Sequence, residues 1–206
     1  NTNVAVRLHD VLGKAVVVEN DATAGAFAEW SVGAGMGART CVCVTLGTGI
    51  GVGVVIDGEV LHGTNGFAGE MGHMCIDRNG PKCKCGNRGC WEMIASGSAL
   101  TGAAVGVGLK PETLASDARS GRAEALRVFA EFADAVALGL ATVAYAFDPD
   151  VIVLGGGVST SADVLIPLVQ DRLGVHIYAA HSRPLPRVVA ASLGERASAI
   201  GAALLA

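Results

Sequence analysis

The segment Thr40-Cys-Val-Cys-Val-Thr45-Leu-Gly47-Thr-Gly-Ile-Gly-Val-Gly53-Val-Val-Ile56 decides how this chain folds. Thr40–Thr45 is a β-branched, apolar run and predicts a strand. Leu46–Gly53 predicts a glycine-rich turn, and Val54–Ile56 a second strand. Asp57-Gly58 then signals a hairpin into a third strand, Glu59–His62. Glycines at 47, 49, 51 and 53 allow backbone N–H groups close to an anion such as phosphate, and Thr48 adds a hydroxyl donor. A glycine hairpin with no ligand is equally compatible with the pattern. No Lys follows the glycines, so this is no Walker loop, and it joins strand to strand, which disfavours a dinucleotide site.

Upstream, Leu8–Leu12 reads as the end of a helix stopped at Gly13. Ala15–Val18 is a continuous β-branched run, which predicts a strand buried on both faces. Ala22–Trp30 predicts a helix. Asn20 and Asp21 would therefore stand at a strand's carboxyl end before a helix, the usual ligand edge of an open α/β sheet. The plainer reading of Asp21 is a helix cap.

Downstream comes Gly69-Glu70-Met-Gly-His73, then Cys83-Lys-Cys85-Gly-Asn-Arg-Gly-Cys90-Trp-Glu92. The spacing His-x9-Cys-x-Cys-x4-Cys offers three thiolates and an imidazole, the ligand set of a closed tetrahedral Zn²⁺ site. A disulfide pair or idle thiols are the alternative, but two cysteines one residue apart pair poorly with each other, and the chain reads as cytosolic. Glu70 and Glu92 are not needed by a metal. With His73 they can form a polar pocket for a polyhydroxylated ligand, or else they are solvated loop acids.

Ile94–Val107 predicts a helix with an opening near Ser96, and Pro111–Ala118 a short helical piece. Gly121–Phe147 carries a helical stripe of Leu126, Phe129, Phe132, Ala133, Val136, Leu140, Val143 and Ala144, read as core. Val151–Leu154 predicts a doubly buried strand. Gly155-Gly156-Gly157 follows, and a helix then starts near Ser159 or Ser161. Strand, three glycines and helix start suit a nucleotide, although a plain βα loop has the same pattern. Strand Arg187–Ala190 and a helix Ala197–Leu205 close the chain.

The Gly69–His73 and Cys83–Glu92 strings resemble the zinc motif of the ROK family, and within it that of the bacterial ATP-dependent glucokinases. The glycine hairpin resembles the second phosphate motif, and Gly155–Gly157 the adenosine motif, of the actin-like ATPase fold. The resemblance implies an α/β, RNase H-like βββαβα sugar-kinase domain with an inserted zinc loop. It implies ATP-dependent phosphorylation of a hexose, glucose first, with Asp21 as base. Asn20, Asp21, Glu70, His73 and Glu92 would contact the sugar. Gly47, Thr48 and Gly49 would hold phosphates and Gly155, Gly156 and Gly157 the adenosine, with Mg²⁺ arriving on ATP. His73, Cys83, Cys85 and Cys90 would hold a structural Zn²⁺. It also implies a homo-oligomer. Residues 1–206 would be the C-terminal large domain, with a helix at about 195–206 packing back on an N-terminal domain that carries an Asp-x-Gly-Gly-Thr loop. A sugar-responsive transcriptional repressor of the same family is the alternative.

Composition narrows the classes further. Of the 206 residues, 51% are hydrophobic and 17% charged, enough apolar matter for a sizeable core, and the net charge of −4 argues against a nucleic-acid surface in this stretch. The apolar run Ala135–Phe147 is too short to span a bilayer. No basic-then-apolar leader is present, and the expected location is cytoplasmic.

Overall fold

The structure, a computed structural model, describes residues 3–206. Helix α1 (Val4–Leu12) ends at Gly13 in the left-handed conformation, φ 64°, as its sequence predicts. Helix α2 (Asp21–Val32) follows. Between them Ala15–Val18 forms no strand. Val17 and Val18 are exposed, and no neighbouring strand among the described residues offers them a ladder, so β propensity alone leaves them extended but unpaired.

Strands β1 (Thr40–Leu46), β2 (Ile50–Ile56) and the two-residue β3 (Glu59–Val60) make an antiparallel meander. The third strand stops before His62, whose ring is engaged elsewhere. Helices α3 (Trp91–Ala95) and α4 (Gly97–Gly106) meet at Ser96, whose side chain accepts from the Ala99 N–H and restarts the helix. Helix α5 (Leu114–Arg119), the long α6 (Ala123–Phe147), β4 (Val151–Gly155), α7 (Ala162–His176), β5 (Arg187–Ala190) and α8 (Ala197–Leu205) complete the chain. The sheet order is β3-β2-β1-β4-β5, with β4 parallel to both β1 and β5.

Alternation along the strands assigns the two faces of the sheet. Val42, Val44 and Leu46 of β1, with Ile152 and Leu154 of β4, join the large core under α3 to α7. Cys41, Cys43, Val151 and Val153 face the smaller core under α2. Helix α8 packs on α2. Burial, reinforced by the nearby Glu29 carboxylate, pushes the Cys41 thiol up to about 12 and the Cys43 thiol well above its ordinary value. Both therefore stay protonated and serve as small apolar side chains.

Two glycines predicted to face an anion do something else. Gly51 and Gly53 lie inside β2, and a Cβ on Gly53 would fall 2.7 Å from the Ala22 carbonyl oxygen. They let α2 sit against the strand. Leu126, placed on the buried stripe of α6, is 42% exposed; the other stripe residues are buried. Helix α6 is long and apolar enough to cross a membrane by length and composition, yet 61% of that window is buried in this fold.

Trp91, fully buried, donates from Nε1 to the Ala135 carbonyl at 3.1 Å, and its indole occupies the space beside Gly139. Gly139→Ala should cost about 1–3 kcal/mol through overpacking. Gly102→Ala, in open space on α4, should be neutral or stabilise by up to about 1 kcal/mol. Chemical denaturation of both variants checks the pair, and equal stabilities would contradict this packing.

Candidate functional site

The site begins at the N-terminus of α2. Glu19 accepts from the Asn20 N–H at 2.8 Å and pairs with His62 Nε2 at 2.6 Å, tying the segment before the helix to the end of the meander. Asn20 is the cap: its Oδ1 accepts from the Ala22 and Thr23 N–H groups at 2.9 and 3.1 Å. Capping by Asn20 frees Asp21 from that duty. Asp21 is the first helical residue, exposed, with Oδ1 2.9 Å from the Ala22 N–H.

The hairpin tip Gly47–Gly49 sits beside it. The Gly47 N–H donates to the Gly49 carbonyl at 3.0 Å. Among the described residues, the N–H groups of Thr48 and Gly49 find no protein acceptor. The N-terminus of α4 abuts the same tip, with the Ser98 N–H 3.3 Å from the Gly47 carbonyl. Glu92, 8% exposed in its side chain, packs its carboxylate against Gly49.

Glu70 lies on a single helical turn, Glu70–His73. The His73 ring has two distinct sides. Nε2 faces Glu70 at 3.9 Å; Nδ1 faces Glu92 at 3.5 Å and the Cys83 sulfur at 3.7 Å. Asn20, Asp21, Glu70, His73 and Glu92, the five residues predicted to meet a sugar, line one pocket of about 480 Å³, with Gly47–Gly49 on its wall.

The four predicted metal ligands also converge. Donor atoms of His73, Cys83, Cys85 and Cys90 all lie within 4.8 Å of one another. Cys85 and Cys90 sulfurs are 3.5 Å apart and unbonded. Zn–S bonds of about 2.3 Å at tetrahedral angles place two sulfurs about 3.8 Å apart, so this donor set fits that ion in chemistry and in size.

On the other side of the hairpin a second pocket, about 560 Å³, lies between Gly47–Thr48 and the Gly157–Ser161 turn. The parallel register pairs Thr45 with Gly155, which brings the two glycine segments together. Gly156 has φ 85° and ψ −171°, a conformation reserved for glycine, and a Cβ there would meet the Leu46 backbone at 2.6 to 2.8 Å. Gly157 has open space around it. A turn of 3-10 helix over Gly157–Ser161 separates the glycines from α7, and Ser161 at its end makes no side-chain cap. Sequence reading missed the far wall of this pocket: Ser98, Thr101, Pro111, Leu114 and Phe129. Phe129 looked like core, and the helical stripe held no sign that one ring also faces a cavity.

A mixed sheet with glycine turns at two adjacent strand ends and an Asp-headed helix beside them is an α/β sugar-kinase fold. A ROK family glucokinase from Streptomyces griseus, solved with glucose and AMPPNP, superposes with a TM-score of 0.87 at 34% identity, covering 98% of this chain and 72% of that one. The chain belongs to the ROK family, whose family model matches residues 1–206. A glucokinase of Streptomyces coelicolor is 35% identical over 95% of this chain and 68% of its own length. The xylose repressor of Bacillus subtilis is 34% identical over 90% of this chain and 49% of its own length. The chain thus spans about two thirds of the glucokinase and about half of the repressor.

Gly156→Ala should cost about 1–3 kcal/mol from its backbone conformation alone, and Gly157→Ala less than about 0.5 kcal/mol. Urea titrations of the two variants check this, and a tolerated Gly156→Ala would contradict the close approach to Leu46.

Proposed function

We propose that this chain is the greater part of an ATP-dependent hexose kinase, with glucose as the preferred sugar and Asp21 as general base. One observation carries the reading: Asp21 shares a pocket with the hairpin tip, and that tip is also the wall of the second pocket. A sugar beside Asp21 and a nucleotide beyond the tip would then meet across Gly47–Gly49. The glucose and AMPPNP held by the Streptomyces griseus relative support this assignment.

In this mechanism Asn20, Glu70, His73 and Glu92 accept or donate hydrogen bonds to sugar hydroxyls and aim one of them at Asp21. Asp21 takes the hydroxyl proton as the oxygen attacks the terminal phosphorus, the new P–O bond forms, and the bond to the nucleotide diphosphate breaks. The free N–H groups of Thr48 and Gly49 receive phosphate oxygens. Gly156 and Gly157 give the adenosine a wall without side chains. Mg²⁺ brought in on the nucleotide would supply neutralisation of its phosphate oxygens.

Zn²⁺ is assigned to His73 Nδ1, Cys83, Cys85 and Cys90. A closed set of four protein ligands leaves no position for a reactant, so its role is structural. It would fix the ring that Nε2 presents to the pocket, which couples the metal to sugar affinity. Unpaired thiols throughout the chain suit a reducing, cytoplasmic compartment. The likeness to the xylose repressor favours a second reading, a sugar sensor built on the same fold.

Asp21→Asn in the full-length protein should lower kcat by at least about 10²-fold with sugar affinity kept, because the amide cannot accept the proton. A coupled assay with glucose and MgATP checks it, and turnover near that of the unmodified protein would remove Asp21 from the role. Absent turnover in both, with glucose still bound, would favour the sensor. Cys85→Ser should abolish stoichiometric zinc in mass-spectrometric metal analysis and weaken glucose binding. Zinc-free protein with full glucose affinity would contradict the coupling.

A further inference from the structure

The two facing pockets hold one cation. The chain has four lysines, Lys14, Lys82, Lys84 and Lys110. Among the described residues lining the Asp21 pocket and the pocket beyond the hairpin, Lys84 is the single Lys or Arg. It also borders a third recess with Lys82, Thr48 and Ser98, which puts Lys84 where the hairpin tip, the Asp21 pocket and α4 meet. It enters no ion pair among the described residues, although Asp21, Glu70 and Glu92 line the same pocket.

Its backbone is held on both sides. Lys84 lies between Cys83 and Cys85, two members of the metal donor set. The Cys83 N–H donates to the Asn87 carbonyl at 2.8 Å, and the Gly86 N–H to the Cys83 carbonyl at 3.1 Å. A lysine on a braced tight loop loses less freedom on meeting a ligand than one on a mobile loop.

A phosphoryl group passing from nucleotide to sugar carries several negative charges, and three carboxylates in the receiving pocket would repel it. Asp21, Glu70 and Glu92 suit sugar hydroxyls and oppose phosphate. We propose that the Lys84 ammonium contacts the phosphoryl group on the sugar side of the hairpin, offsetting those carboxylates during transfer and in the hexose phosphate product. This rests on the kinase reading for turnover, but the contact itself predicts affinity for a sugar phosphate. Lys82, which borders only the recess, has a smaller part.

The test uses the full-length zinc-loaded protein and its Lys84→Gln, Lys84→Arg and Lys82→Gln variants. Lys84→Gln should lower kcat by on the order of 10²-fold, as expected for a lost charge-stabilising donor. It should weaken glucose 6-phosphate in calorimetric titration by about 10-fold. Glucose affinity and zinc stoichiometry should not change, Lys84→Arg should recover most of both losses, and Lys82→Gln should change kcat less than about threefold. Unchanged glucose 6-phosphate affinity in Lys84→Gln overturns the proposal whatever happens to turnover. Equal loss of glucose affinity or of zinc also overturns it, because the residue would then be structural. If the unmodified protein has no turnover, the kinase reading fails, and the glucose 6-phosphate titration still decides the role of Lys84.

Discussion

The parallel pairing of β1 with β4 is the constraint on which the rest depends. It sets Thr45 beside Gly155 and ends both strands at the same edge. Gly156 then lies against the Leu46 backbone, at a distance no side chain permits. Two glycine segments 108 residues apart, Gly47–Gly49 and Gly155–Gly157, become neighbours, and a cleft opens between them. A one-residue slip in this register would turn Val42, Val44 and Leu46 out of the large core, so burial of that core fixes the geometry of the cleft.

The wall of the Asp21 pocket is built by different means. The segment between β3 and α3 has little regular structure, and its backbone is organised by tight turns and by two isolated bridges, Cys75 with Cys90 and Lys82 with Arg88. Trp91, immediately after Cys90, anchors this segment in the core against α6. Glu92 follows directly and reaches Gly49. One short sequence thus joins the thiol cluster, the core and the polar pocket, and a disturbance of the cluster would reach the pocket through Glu92 and His73.

Much of this was legible in the sequence. Strand β5 and helix α8 have the bounds that their patterns predict: Pro186 precedes the β-branched run of β5, and Gly194 precedes the apolar run of α8. The convergence of His73, Cys83, Cys85 and Cys90 was legible from spacing, since close-set side chains in a glycine-rich loop stay near one another. The paired roles of Asn20 and Asp21 were only half legible: either could cap a helix, and the structure gives the cap to Asn20. Ala15–Val18 misled because propensity describes a residue's preference and a strand also needs a partner. Gly51 and Gly53 misled because the sequence does not distinguish a glycine that admits a ligand from one that admits a helix. Glu19 with His62, 43 residues apart, left no local signal at all.

In the proposed kinase, sugar and phosphoryl donor occupy opposite sides of one glycine hairpin at the same time, with direct transfer between them. Initial rates of the full-length protein, with glucose and MgATP varied together, test this most directly. Intersecting double-reciprocal lines, the mark of a ternary complex, are expected. Parallel lines, as from a phosphorylated enzyme intermediate, would contradict it.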